Sequence, residues 1–333
     1  MMLWLVVLAD CGGGDGGGDE RAKKGGSQPA DDSRRSTATG ETDVNKAGAT
    51  KIRIHGDWLA AGAGAVWLTG GSEIYRLDPQ TARTIAKIAV PQQPCEGSAV
   101  GFGALWTATC VKPGLARIDP ATNRVSRHVP LAIPDELGGE ASIGAGAGGV
   151  WLVVDAPECT TCRVARVDPR SMSVVARIPV KTGAADVRVG LGAVWVTNPE
   201  NNLVQKIDPR RNRVMQTTTV GGGPRFPGIG EGGVFTFNRI DGSITRVDPR
   251  TGEKVTTIPA DLAGEIAEVT TGGGSVWVRA SGTLLSRIDP HTNRVVERYG
   301  PSSGSGGVVV GFDAIWIAAH DVDTLWRLPL SNT

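Results

Sequence analysis

The 333-residue chain carries 35 basic and 34 acidic residues, a net charge of +1. That balance argues against a nucleic-acid partner, which would need a basic face. The 47 glycines, the short Val, Ile and Trp runs and the lack of any long pattern of period 3.6 predict many strands, many tight turns and little helix.

The first element is an apolar run, MMLWLVVLAD, followed by Cys11. LADC resembles the lipobox of bacterial lipoproteins, and the resemblance implies a leader over residues 1–11 with Cys11 lipidated. No Lys or Arg precedes the run, and Asp10 stands where lipoproteins carry a small neutral residue. Residues 12–50 are rich in Gly, Ser, Asp and Lys and hold almost no large apolar side chain. Such a segment cannot bury enough surface to offset its ordering entropy, so a disordered tether is expected, spanning roughly 35 Å. No later stretch is long and apolar enough to cross a bilayer as a helix. The expected location is extracytoplasmic, with the membrane reached through the lipid alone.

Cysteine usage agrees with export. Cys95, Cys110, Cys159 and Cys162 remain after Cys11, an even number that predicts two disulfides with three possible pairings. Cys159 and Cys162 form a lone CTTC with neither a second pair nor histidines nearby for zinc, and with no βαβ context for redox chemistry. No metal site is expected.

From residue 51 to 333 one phrase recurs seven times: GAVWLT, GALWTA, GGVWLV, GAVWVT, GGVFTF, GSVWVR and DAIWIA. Its aromatic residues are Trp67, Trp106, Trp151, Trp195, Phe235, Trp277 and Trp316, spaced 39, 45, 44, 40, 42 and 39 apart. The first six are followed by an Arg-Ile-Asp-Pro-like phrase and then a mostly Val/Ile run, and the seventh by a degenerate WRLPL. A glycine-rich run (strand A), the aromatic strand (B), the strand ending in Asp-Pro (C) and the Val/Ile strand (D) make four strands per unit, which is the β-propeller pattern. The fold class is therefore all-β: a seven-bladed propeller with four antiparallel strands per blade. Each aromatic ring is expected between blades.

In the C–D turns Pro sets φ for a type I turn, and the preceding Asp accepts from amides two residues on. Asp78, Asp119, Asp168, Asp208, Asp248 and Asp289 are thus turn residues. The seventh unit stops after strand C, whereas KIRIHGD at 51–57 looks like an unpaired strand D. The amino-terminal strand is expected to complete the last blade and remove its open edge.

The phrases GAVWVTN, DPATNR and VVARIPV look like the YVTN-type propellers, and resemble the streptogramin lyase-like (virginiamycin B lyase-like) group, over residues 51–330. The resemblance implies the fold and, for the second group, elimination from a cyclic ester with a general base and magnesium. Such enzymes carry a histidine at the start of a strand A with Glu and His on nearby loops. Here His55 and His128 are expected in D strands and His291 in a C–D turn, leaving His320 beside Asp321 as the weak catalytic pair on the face made by the B–C and D–A loops. A lactonase would need Glu, Asn, Asn and Asp around one metal. Asn198 and Asn238 occupy equivalent positions, but the inner strands, such as VGFG and VGLG, supply almost no ligands. On the same face the B–C loops are expected to carry Asn198, Asn238, Arg239, Arg279 and His320, and the D–A loops Glu140, Asp186, Arg225, Phe226, Glu265 and Glu268. Arg and aromatic residues often anchor interfaces. The expected function is a monomeric, non-catalytic module binding a protein, peptide or glycan at the cell envelope without a cofactor. A magnesium-dependent lyase is the alternative, and a small-molecule sensor or lactonase the third.

Overall fold

The computed structural model describes residues 40–133, 140–154 and 162–333. Cys11 and the leader, most of the tether, and Cys159 lie outside the described residues. The described chain forms seven sheets, each with four antiparallel strands running A-B-C-D from the axis outward, and one of them gains a fifth, parallel strand at its outer edge. Strand A is Trp58–Gly62, Pro94–Gly101, Ile143–Gly146, Val187–Gly190, Pro224–Gly230, Ala267–Gly272 and Val308–Gly311 in blades 1 to 7. Each strand A contacts those of its two neighbours, and that of blade 7 contacts that of blade 1, so the ring is shut.

Closure follows the sequence reading. Thr50–Arg53 pairs antiparallel with Thr324–Pro329, with Ile52 opposite Leu325. The ordered chain begins earlier than a tether ending at residue 50 would have it. Thr42–Asp43 pairs parallel with Arg294–Gly300, the outer strand of blade 6. Val44 is fully buried beside it, and Trp326 Nε1 reaches Asn45 Oδ1 at 3.4 Å. One apolar residue in a polar run is enough to seat the segment between blades 6 and 7.

The repeat phrases encode a joint between blades. Strand B is sandwiched by both neighbours, and in six blades every one of its residues is buried. That is why it reads as a continuous apolar run rather than an alternating one. The Trp67 indole donates to Gly62 O at 3.0 Å, and five other blades repeat this bond. An Arg or Lys of strand C lies over each strand B ring, at 5.2 Å for Arg166 on Trp151. The same cation often staples the next blade. Arg166 donates to Pro209 O at 2.8 Å and Asn212 Oδ1 at 3.0 Å, and Arg327 of blade 7 donates to Pro79 O of blade 1 at 2.9 Å. The Asp-Pro turns are built as expected. Asp78 Oδ1 accepts from the amides of Gln80 and Thr81 at 2.9 and 2.7 Å, and those bonds hold its carboxyl below the ordinary carboxylate range.

Around the axis, the glycine ending each strand A abuts the next blade. A Cβ on Gly62 would sit 2.8 Å from Val100 Cγ1, and one on Gly311 2.5 Å from Ala61 Cβ, which completes the circle. Gly62 also has φ +142°. Gly62→Ala should therefore lose roughly 1–3 kcal/mol to crowding and backbone strain. Urea denaturation would show this as a lower midpoint with unchanged slope.

Candidate functional site

The B–C and D–A connections share one face. Counting back four residues from the glycine that ends strand A gives Trp58, Gly97, Ser142, Asp186, Phe226, Glu268 and Gly307 in blades 1 to 7. This layer sits where strand A enters the ring from that face. Two of its members lack a side chain, and the rest are large or polar. Several of them meet residues of other blades across the axis.

Arg188, two residues before the glycine of blade 4, organises one half. It donates to Ser142 Oγ of blade 3 and, at 3.1 Å, to Glu268 Oε1 of blade 6. Its guanidinium lies 4.8 Å from the ring centre of Trp58 of blade 1. Trp58 Nε1 donates to Ser98 O of blade 2 at 3.3 Å, and Glu268 Oε2 accepts from Val308 N of blade 7 at 2.9 Å. Arg225 of blade 5 organises the other half. It pairs with Asp186 at 3.1 Å and Glu140 at 2.8 Å, and lies 4.2 Å over Phe226, which meets Trp58 edge-on at 5.5 Å. Asp186 is fully buried and also accepts from Thr197 Oγ1 and Phe226 N, each at 2.8 Å. This hub joins all seven blades.

Burial pushes the Glu268 carboxyl up to about 7, despite the nearby Arg188 charge. Because its ordinary value is 4.5, the folded protein holds a proton between about 4.5 and 7 that the unfolded chain has released. The Glu268 contribution to stability therefore falls as pH rises through that window. Relative to Glu268→Gln, the wild type should lose stability of order 3 kcal/mol between pH 4.5 and 8. Parallel urea titrations of the two proteins measure the difference.

The sequence-predicted residues fall in four places. Arg225 and Phe226 belong to the hub and, like Glu268, lie in strand A rather than in a loop, because pairing extends further than the turn residues suggest. Arg279 lies in strand Ser275–Ala280, fully buried, and donates to Ala318 O at 3.1 Å, Gly304 O at 2.8 Å and Ala280 O. Asn198 and Asn238 end their B strands, also buried. Asn198 holds Lys181 O and Thr182 O, and Asn238 holds the Ser243 and Thr245 hydroxyls. Arg239 is exposed on the B–C turn of blade 5.

His320 and Asp321 start the B–C turn of blade 7. His320 Nε2 is 3.0 Å from Asp321 Oδ1, and its Nδ1 is 3.4 Å from Asp57 Oδ1 of blade 1. His55 lies beyond strand D, in the connector to blade 1, because the strand stops at Arg53. It bonds Asp323 at 2.8 Å. Cys95 and Cys110 are bridged, with Cα atoms 5.2 Å apart, and Cys162 is also disulfide-bonded.

The fold has solved counterparts. A streptogramin B lyase structure matches with TM-score 0.66 at 16% identity, covering 84% of this chain and 96% of the other. BamB from Moraxella catarrhalis matches with TM-score 0.58 at 12% identity, covering 81% of each. No family model and no curated protein matches the sequence. At such identities the likeness establishes the propeller and not its activity.

Two features escaped the sequence reading. The inner strands were expected to be nearly devoid of functional groups, yet they carry Arg188 and Glu268. Trp58 was not singled out. The available signal was the layer position itself, the point of the repeat where the blades differ most.

Proposed function

We propose that the chain is an extracytoplasmic binding module that engages a protein partner through the B–C and D–A rim of blades 5 to 7. The supporting observation is a run of exposed apolar tips on that rim. Ile240, Ile266 and Val322 are 72%, 47% and 51% exposed. Their loops are joined edge to edge. Leu262 N bonds Gly242 O, Ser281 N bonds Ile266 O, and Ser305 N bonds Asp321 Oδ2. Exposed Arg239 adjoins Ile240. Apolar tips held on a braced rim, with an arginine beside them, are the usual material of an interface. The disulfides on this face fit an oxidising compartment. In this reading Cys11 carries the lipid, the residues between it and the strand at Thr42 supply reach, and the propeller acts as a monomer.

A photo-crosslinking residue at position 240 or 322 should give a discrete adduct in native cells. One at Leu191, an exposed A–B turn position on the opposite face, should not. Equal labelling from both faces, or none from either, removes the proposal.

One observation favours a second reading, a streptogramin lyase-like C–O lyase with magnesium: His320 has carboxylates on both sides, from two blades. Among the described residues, however, no three His, Cys, Asp or Glu side chains are set to hold a metal ion. For a lactonase, the amides of Asn198 and Asn238 would have to leave the main-chain and hydroxyl partners they bond here. Incubation with a streptogramin B and magnesium decides the lyase reading. Ring opening that disappears in His320→Ala would establish it.

A further inference from the structure

Beneath the hub the axis holds a cavity of about 270 Å³, lined by Trp58, Ser98, Arg188, Glu268, Thr270 and otherwise mostly by Ala, Gly, Val and Ile of the inner strands. Ser98 is 6% exposed, and its hydroxyl has no hydrogen-bond partner among the described residues. A buried hydroxyl without a partner costs stability unless something fills its valence.

We propose that this cavity is a binding site for a small uncharged polyhydroxy compound of about monosaccharide size. The charge follows from the lining. Above about pH 7, where Glu268 is ionised, its charge offsets that of Arg188, and the apolar walls penalise a ligand with net charge. The hydroxyl character follows from the mixed polar end. Arg188 offers donors, Glu268 offers acceptor lone pairs, and Ser98 offers both. A sugar hydroxyl matches all three, because it donates and accepts at once. The C–H faces of such a ring suit the Val and Ile walls. The size follows from the volume, which lies just under the ~300 Å³ at which drug-sized pockets begin. This site is independent of the rim, and neither proposal needs the other.

Saturation-transfer NMR on the full chain with D-glucose, D-galactose and N-acetylglucosamine tests it. At least one should show saturable binding. Arg188→Met and Ser98→Val should weaken it about tenfold, and Val309→Phe, which fills the cavity, should abolish it. Should Arg188→Met fail to fold, Ser98→Val carries the comparison, with its melting transition as the check on folding. No saturation with any of the three sugars, or binding unchanged in Val309→Phe, overturns the proposal and leaves the cavity to water.

Discussion

Trp277→Ala will destabilise the propeller by about 3–5 kcal/mol. The indole is fully buried, its Nε1 donates to Gly272 O at 3.0 Å, and Arg287 stacks over it at 5.7 Å. Tyr299, whose strand lies outward in the same blade, packs against it at 6.5 Å. Truncation leaves a void that closely packed blades cannot collapse into, an unmet carbonyl and a guanidinium without its ring. Blade 5 supplies a natural control. There Phe235 fills the same position with Arg246 at 5.5 Å over its ring, but has no N–H to donate. Trp277→Phe should accordingly cost only about 1 kcal/mol, the worth of one hydrogen bond. Equal losses for Ala and Phe in chemical denaturation would show that the bond, not the ring volume, holds the joint.

Arg225→Ala should cost a similar 3–5 kcal/mol for a different reason. It leaves Asp186, fully buried, with hydrogen bonds from Thr197 and Phe226 but no counter-charge. Removing both charges in Arg225→Met/Asp186→Asn should cost less than the sum of the single changes, because no buried charge is then stranded. A double-mutant cycle by urea denaturation checks this. Additive losses would mean that the two side chains do not act as a pair. Glu140, at the half-exposed end of the same arginine, should contribute less, since solvent screens its charge.

The fold was legible because it repeats. Strand B and the glycine-rich strand A before it recur in all seven blades and the Asp-Pro turn in six, so weak signals add to one strong one. The hub was illegible for the opposite reason. Trp58, Asp186, Phe226 and Glu268 share one repeat position yet share no chemistry, and each acquires meaning only from partners in other blades. Arg188 looks like an isolated charge in a valine-rich strand until Glu268 and Trp58 are brought across the axis. Asn198 and Asn238 show how local partners can occupy aligned side chains. Aligned amides suggested ligands, but their local turns and hydroxyl neighbours use them. Arg279, read as a surface anchor, is a strut under the connector into blade 7. Its guanidinium finds main-chain carbonyls there, and burial lowers its pKa to about 10.

The pairing of Ile52 with Leu325 sets the order in which the molecule can be made. The strand that completes blade 7, Thr50–Arg53, is synthesised well before its partner, Thr324–Pro329. Throughout translation the nascent chain must carry an unmatched strand edge while the other blades stack up. Contacts so far apart in sequence form slowly, and unpaired edges invite association with other chains. A propeller seamed in this way keeps an open edge for longer than one whose blades are each finished from local sequence.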